Sequence, residues 1–562
     1  MYLFFLYKSA GFLILVQIAS LLIVMKKKTK TRLGLVLLIL IPFLIFGFWP
    51  LGNPKYNIVF NKGKIEYRQD YLSKKQPHLD STRLPNIVVI LADDLSLMDV
   101  SRYGGKNVVT KNIDAIGANG VTFKEAYISS PICAPSRAGL MTGRYQQRFG
   151  FEINIHERYP KNRIEYFVYA NLLNTGDWKV AQHEDWAVPT FEAMQQQGLP
   201  PTEFTLAEIL KTKGYQTAAI GKWHMGYNET AIPIKRGFDY HYGFYEAFSL
   251  YAPEDKEGIV NQKLSDFSDP HIWGKGRTGN CALRKNHQVV EDDTYLTTKI
   301  ATETNEFIKA HKDEPFFVYV PFSAPHTPFQ VTKEYYDQYE HIASPEKRIY
   351  YAMIHALDDA VGMIMQQLEA LDLEENTLVI FLSDNGGATY TGAADNSPLK
   401  GGKFTNFEGG INVPFMMQWK GKIPKNMHYE KPISALDIFA TSSALAQVDL
   451  PSDREFDGVN LMPYLLDSAY QNKTPHEALF WRSEYHKAIR KGDWKLIQDD
   501  LAQRTVLYNL ATDKNELKNV AAENPDVVKF LQTDFKNWEK KLIPSNWPRV
   551  MDYEIHAGQA VY

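Results

Sequence analysis

Four short apolar runs set the frame of this chain. Asn86-Ile87-Val88-Val89-Ile90-Leu91, Gln216-Thr217-Ala218-Ala219-Ile220, Phe316-Phe317-Val318-Tyr319-Val320 and Thr377-Leu378-Val379-Ile380-Phe381-Leu382 do not alternate with charged residues. A strand wetted on one face alternates and a strand covered on both faces does not, so these runs predict inner strands of a parallel sheet. Between them the period lengthens to that of a helix. Thr205-Leu206-Ala207-Glu208 reads as a capping box opening a helix that stops at Gly214. Met353, Leu357, Val361, Ile364, Leu368 and Leu371 recur at three- and four-residue spacing along one face of a long helix. Strands alternating with helices predict an α/β fold, a large mostly parallel sheet sandwiched by helices. After about residue 470 the texture changes to short strands at hairpin spacing, around Phe480, Ile489, Leu496 and Leu507, then a helical stretch from Pro525 to Lys541. This predicts a small C-terminal antiparallel sheet with one helix.

The N-terminus reads differently. Apolar runs from Gly11 to Met25 and from Leu33 to Trp49 flank a basic patch, Lys26 to Arg32. From Met25 onward the chain has the form of a signal peptide, which makes Met25 a candidate start; the alternative is a membrane hairpin with a cytoplasmic basic loop. The positive-inside rule sends the region after residue 50 outward in either case. No small-x-small cleavage site and no lipidation cysteine follows the second run, which favours an uncleaved anchor. The expected organisation is therefore 1–52 signal peptide or anchor, 53–83 polar linker or surface arm, 84–469 main domain, and 470–562 C-terminal subdomain and tail.

A length of 562 residues suits one large α/β domain and a satellite. Lys and Arg number 62 against 65 Asp and Glu, so nothing global attracts nucleic acid. Two cysteines, Cys133 and Cys281, exclude a disulfide framework and fit an exported bacterial protein, periplasmic or at the surface, better than an animal secreted one.

All four apolar runs end in polar chemistry: Asp93-Asp94, Lys222-Trp223-His224, Ser323-Ala324-Pro325-His326, and Asp384-Asn385-Gly386-Gly387. The carboxyl edge of an open α/β sheet is where ligands bind. Singly, the Asp pair has the alternative of a solvated strand end or a helix N-cap, and each histidine that of a satisfied structural residue; together they make a site. Cys133-Ala134-Pro135-Ser136-Arg137 then runs through a small-residue helical stretch to Thr142-Gly143-Arg144. A cysteine at a helix start with an arginine four residues on is a nucleophile candidate, against the alternative of a small buried hydrophobe.

That string resembles the sulfatase signature Cys-x-Pro-Ser-Arg…Leu-x-Thr-Gly-Arg, with Ala138 and Gly139 as the spacer before Leu140. The strand-end motifs are similar to the same family, within the alkaline-phosphatase-like superfamily, from about Leu84 to about Ala521. The resemblance makes 84–469 a catalytic sulfatase domain. It implies that a maturation enzyme oxidises Cys133 to formylglycine before the protein works; the N-terminus adds the export machinery as an expected partner. It also implies one calcium ion on Asp93, Asp94, Asp384, Asn385 and the modified Cys133, and a hard cation is suited by such oxygen ligands. Ser96 stands where the family has glycine after Asp-Asp-Leu. Lys222, His224, His326 and Lys403 match the sulfate pocket, with Lys400 the runner-up for Lys403. The implied mechanism starts from a hydrated formylglycine held by Arg137, one hydroxyl of which attacks sulfur. His326, assisted by Lys403, protonates the leaving alcohol, and His224 deprotonates the second hydroxyl to expel sulfate. A sulfated carbohydrate is the expected substrate, met by an irregular insertion from Glu152 to Pro201 whose Tyr159, Tyr166, Phe167, Tyr169, Trp178 and Trp186 can stack on sugars or pack on one another. Two other readings remain open, a phosphonate or phosphodiester hydrolase of the superfamily and an inactive exported carbohydrate-binding relative.

Overall fold

The computed structural model describes residues 46–48, 56, 58–76 and 83–561, except 158, 173–177, 182–187, 471, 554–555 and 558–559. The N-terminal apolar runs, apart from 46–48, and the basic patch with Met25 lie outside those residues. Among the described residues no helix is long and apolar enough to cross a membrane.

The four expected strands are neighbours within one ten-stranded sheet. Across it run Thr377–Ser383, Asn86–Ala92, Phe316–Pro321 and Gln216–Lys222, all parallel, with Tyr240–Phe244 as a fifth parallel strand. Antiparallel neighbours, Phe415–Gln418 on one side and Arg284–Lys285 on the other, make the sheet mixed. Ala92 pairs with Ser383 and Leu91 with Pro321, so the residues that follow these strands emerge side by side.

The absence of alternation has a direct cause. Ile87, Val89 and Leu91 enter one core layer while Val88, Ile90 and Ala92 enter the other, all fully buried. The first layer holds the helices Cys133–Thr142, Leu206–Lys211 and Asp437–Leu445; the second holds Leu296–Ala310 and Pro345–Ala370. The capping box forms as expected: Glu208 N donates to Thr205 Oγ1 at 3.2 Å and Thr205 N to Glu208 Oε2 at 2.9 Å. That helix ends at Lys211, a little before Gly214.

Of the 53–83 stretch, residues 56, 58–76 and 83 are described. It contains a helix, Lys62–Ser73, whose Arg68 pairs with Glu208 and whose Tyr71 ring meets Phe204 edge-on at 5.1 Å. None of its residues is fully buried, so it carries no apolar stripe for sequence patterning to detect.

In the C-terminal subdomain, Ala478–Ser483, His486–Lys491, Trp494–Asp499 and Arg504–Asn509 pair in sequence as an antiparallel meander. Helix Pro525–Glu539 covers it, with Leu531, Phe535 and Trp538 against Ile489, Leu496 and Leu507. The chain then turns back to the main domain. Trp547, 1% exposed, packs on Phe151 at 5.0 Å and donates through Nε1 to the Ile153 and Asn154 carbonyls at 3.2 and 3.0 Å. Trp547→Ala should cost about 3–5 kcal/mol of stability, read as a lower thermal midpoint; an unchanged midpoint would show that the tail is not anchored there.

Candidate functional site

Cys133 opens a helix in which every residue is buried. Its N-cap, Ile132, has no capping side chain; instead the insertion supplies one, as Ala134 N donates to Asn154 Oδ1 at 3.2 Å. The helix closes at Gly143, which has a φ of 65°, and a Cβ there would meet the Phe439 ring at 2.6 Å. Only glycine satisfies both demands, which explains the Thr-Gly-Arg end of the motif.

The four strand ends meet this helix N-terminus. Lys222 Nζ lies 2.5 Å from Asp93 Oδ2, and Lys403 Nζ lies 2.9 Å from the Asp94 carboxylate. Arg137 donates to Asp384 Oδ2 from Nε at 2.9 Å and to the Lys222 carbonyl from Nη1 at 2.9 Å, with Nη2 2.7 Å from Asp384 Oδ2 as an ion pair. These three acids and three bases are at most 4% exposed at their side chains, a nearly dry and balanced charge network. Cys133 Sγ is 3.6 Å from Asp93 Oδ1 and 3.9 Å from Asp94 Oδ1. Asp94 and His224 hold left-handed φ values of 63° and 52°, conformations that a non-glycine residue adopts only where its surroundings enforce them.

Electrostatics follows from this geometry. Burial favours a neutral Asp94, yet Lys403, His326 and Lys222 outweigh it and hold the carboxyl down to about 2. Burial and then Asp93 push Asp384 up to about 6 even with Arg137 beside it. Burial pushes the Cys133 thiol well up. His326 is driven down to about 3 by burial, Lys222 and Lys403, and His224 well below its usual range by burial, Lys222 and Arg137. His326 Nδ1 is 2.5 Å from the Thr327 carbonyl, which can only accept, so that nitrogen carries the proton and Nε2 faces Asp94 Oδ2 at 3.7 Å. Among the described residues neither ring nitrogen of His224 has a hydrogen-bond partner. Lys400, the alternative to Lys403, points elsewhere, to Tyr508 Oη and the Glu516 carbonyl.

Among the described residues, Asp93, Asp94, Cys133 and His326 form a candidate metal-binding cluster with ligand atoms within 4.8 Å of one another. The cluster shares three members with the expected calcium set and adds His326. Of the other expected ligands, Asp384 binds Arg137 through Oδ2 and accepts from Asp94 N at 3.2 Å through Oδ1. Asn385 Nδ2 donates to Asp94 Oδ1 at 2.7 Å, while its Oδ1 is buried with no partner. An orphaned amide oxygen beside two buried aspartates is a donor set that fits a hard cation.

A cavity of about 630 Å³ opens above His224, His326 and Lys403. Its walls come from residues 153–157 and Trp178 of the insertion, from Glu246, Ala247 and Phe248, and from Arg549 and Met551 of the tail. The insertion is more regular than expected, with a helix Arg163–Asn171 and a strand Trp178–Val180 that pairs with Met551–Tyr553. Of its aromatics, Trp178 faces the cavity, edge-on to Tyr390 at 5.2 Å and Phe404 at 5.1 Å. Tyr159 and Tyr166 pack together with Val188, and Phe167 is exposed. Trp186 and the Tyr169 side chain lie outside the described residues. Sequence reasoning missed Glu246 and the tail. The available signal was the run Tyr240-His241-Tyr242-Gly243-Phe244, a fifth strand ending in an acid, but His241 and Gly243 interrupt its apolar pattern.

A family model described as Sulfatase matches residues 85–448, and one described as N-sulphoglucosamine sulphohydrolase, C-terminal, matches residues 402–541. The N-acetylgalactosamine-6-sulfatase of Canis lupus familiaris is 30% identical over 416 residues, 73% of this chain and 71% of that protein. The steryl-sulfatase of Homo sapiens is 30% identical over 468 residues, 72% of this chain and 73% of its own length. The crystal structure of Ps i-CgsB in complex with k-i-k-neocarrahexaose superimposes with a TM-score of 0.69 at 29% identity, covering 83% of this chain and 95% of that one.

Proposed function

The chain belongs to the sulfatase family and is a sulfuric ester hydrolase, and from that premise we propose that it desulfates a carbohydrate, using a formylglycine made from Cys133 and a calcium ion. The observation that carries this reading is that His224, His326 and Lys403 line one cavity far larger than a sulfate group needs, while Cys133 and Lys222 are buried against the same Asp93–Asp94 pair that Lys403 contacts. The likeness to a structure holding a neocarrahexaose supports the saccharide part.

In this reading Asp93, Asp94, Asp384, Asn385 and residue 133 would hold the calcium, which would supply positive charge for the sulfate oxygens. Formylglycine, once hydrated, would supply two oxygens on one carbon, one for attack on sulfur and one for release of sulfate, where a thiol has none. The remaining work falls to this chain's own side chains. Arg137 ties the Cys133 helix to the Asp384 and Lys222 strand ends, fixing residue 133 in direction. Lys222 and Lys403 hold sulfate oxygens in a site that water hardly enters. The Nδ1–H bond to Thr327 orients the His326 ring, and the negative charge brought by the ester favours the imidazolium that protonates the leaving alcohol. His224, with no competing partner, takes the proton from residue 133 that accompanies sulfate release. Export, from the basic patch and the Leu33–Trp49 run, and maturation by a formylglycine-generating enzyme are part of the same proposal.

The test is turnover of a panel of sulfated oligosaccharides beside phosphonate and phosphodiester substrates, with and without chelator. At least one sulfated saccharide should be hydrolysed in preference to every phosphorus ester. Chelation should lower that rate about 100-fold or more, with calcium restoring it. Preference for a phosphorus ester would overturn the substrate reading, and indifference to chelation would overturn the calcium.

A further inference from the structure

One wall of the cavity carries a carboxyl group that the reaction leaves unused. Glu246 follows the fifth parallel strand, Tyr240–Phe244, and its neighbour Tyr245 accepts the backbone N–H of His224 at 3.1 Å. The same register that delivers Lys222 and His224 to the site therefore delivers Glu246 beside them. Its side chain lines the cavity and is 7% exposed. Oε1 accepts from Ala247 N at 3.0 Å and from Tyr227 Oη at 3.5 Å, while Oε2 is buried with no donor among the described residues.

A buried carboxyl oxygen without a donor is costly and rare in a purely structural role. The neighbouring acid is in a different position. Glu157, also on the cavity wall, accepts from Asn280 Nδ2 at 3.0 Å and pairs with Lys275. Glu157 is thus satisfied by protein groups, and the protein offers Glu246 Oε2 only a proton shared with Glu157, which a hydroxyl donor can replace. Burial, reinforced by Glu157, raises the Glu246 carboxyl to about 7, in keeping with a group whose partner is absent.

We infer that Glu246, backed by Glu157, is a specificity-determining acceptor for hydroxyl groups of the sulfated sugar, and that it keeps a second anionic group out of that side of the cavity. The inference rests on the carbohydrate reading above. A sugar ring offers hydroxyl donors, and a carboxylate accepts them in a charge-assisted bond. A second sulfate or a carboxylate at the same place offers no donor and meets Glu246, with the charge of Lys275 already taken up by Glu157. The substrate is accordingly a saccharide with free hydroxyls next to the ester on the Glu246 side.

The experiment compares wild type with Glu246→Gln and Glu157→Gln. Substrates are a monosulfated saccharide that the wild type hydrolyses, its disulfated counterpart, and 4-nitrophenyl sulfate. In Glu246→Gln, the ratio of kcat/KM for the monosulfated saccharide to that for the aryl sulfate should fall about 10- to 100-fold. The wild-type preference for the monosulfated over the disulfated saccharide should shrink in both variants. Each ratio is taken on one preparation, so a loss of folded protein cancels. Unchanged ratios, or a wild type that hydrolyses both saccharides equally, would overturn the inference and leave the sulfatase reading intact. A wild type active on the aryl sulfate and inert to every sulfated saccharide would overturn the carbohydrate reading, and this inference with it.

Discussion

Cys133→Ala should abolish sulfate ester hydrolysis, with a fall in kcat of about 10⁴-fold or more, while the protein stays folded. The side chain is 1% exposed and small, and the atom lost stands 3.6 and 3.9 Å from two aspartate oxygens. Removing it leaves a minor void next to a polar network that is otherwise intact, so the thermal midpoint should change little. Cys133→Ser separates two accounts of the loss. Serine restores an oxygen at the attacking position but has no second oxygen through which sulfate leaves, so turnover should remain absent unless the host's maturation enzyme accepts serine. The accompanying measurement is the mass of the peptide spanning Cys133 in the active wild type, where an aldehyde should replace the thiol. Full activity in the alanine variant would end the proposal that residue 133 is the nucleophile.

Sequence and structure agree most closely where burial is two-sided. Ile87 through Ala92 could be read as an inner strand because consecutive residues face two different core layers, and that leaves no position for a polar side chain until Asp93. The strand ends were legible for a related reason, since polar pairs such as Asp384-Asn385 directly after such a run have few positions to occupy other than the sheet edge. What escaped detection depends on partners distant in sequence. Arg68 and Tyr71 hold their helix to the main domain by one ion pair and one ring contact, a pattern with no period. Trp547 is placed by carbonyls of Ile153 and Asn154, nearly four hundred residues earlier. The approach of His326 to Asp94 joins two strand ends whose side-chain directions depend on local backbone, including a left-handed Asp94. The aromatics of the insertion show the same limit: composition announced them, and tertiary packing alone sends Trp178 to the cavity and Tyr159 to the Pro548 carbonyl.

Arg137→Met should lower both stability and turnover, by about 3–5 kcal/mol and by about 100-fold or more. The guanidinium is fully buried and meets three partners on different elements: Asp384 at 2.7 Å, Asp93 at 3.5 Å and the Lys222 carbonyl at 2.9 Å. Methionine fills similar volume but leaves two carboxylates facing one lysine in a site with almost no water. Asp384, already pushed up to about 6 by burial and Asp93, loses the cation that opposes this, so it takes up a proton in the variant and weakens as a ligand for a cation. Arg137→Lys tests which property matters. A lysine restores the charge but not the planar fork, and one ammonium cannot serve Asp384 and the Lys222 carbonyl in their present directions. The lysine variant should therefore recover much of the thermal midpoint and little of the turnover. Recovery of both would mean that charge alone is required. A methionine variant with wild-type midpoint and rate would mean that the network is dispensable. Because Arg137 lies one turn after Cys133 on the same helix, its bonds to two strand ends also set the direction in which residue 133 faces the cavity, and the Cys-x-Pro-Ser-Arg spacing follows from that single turn.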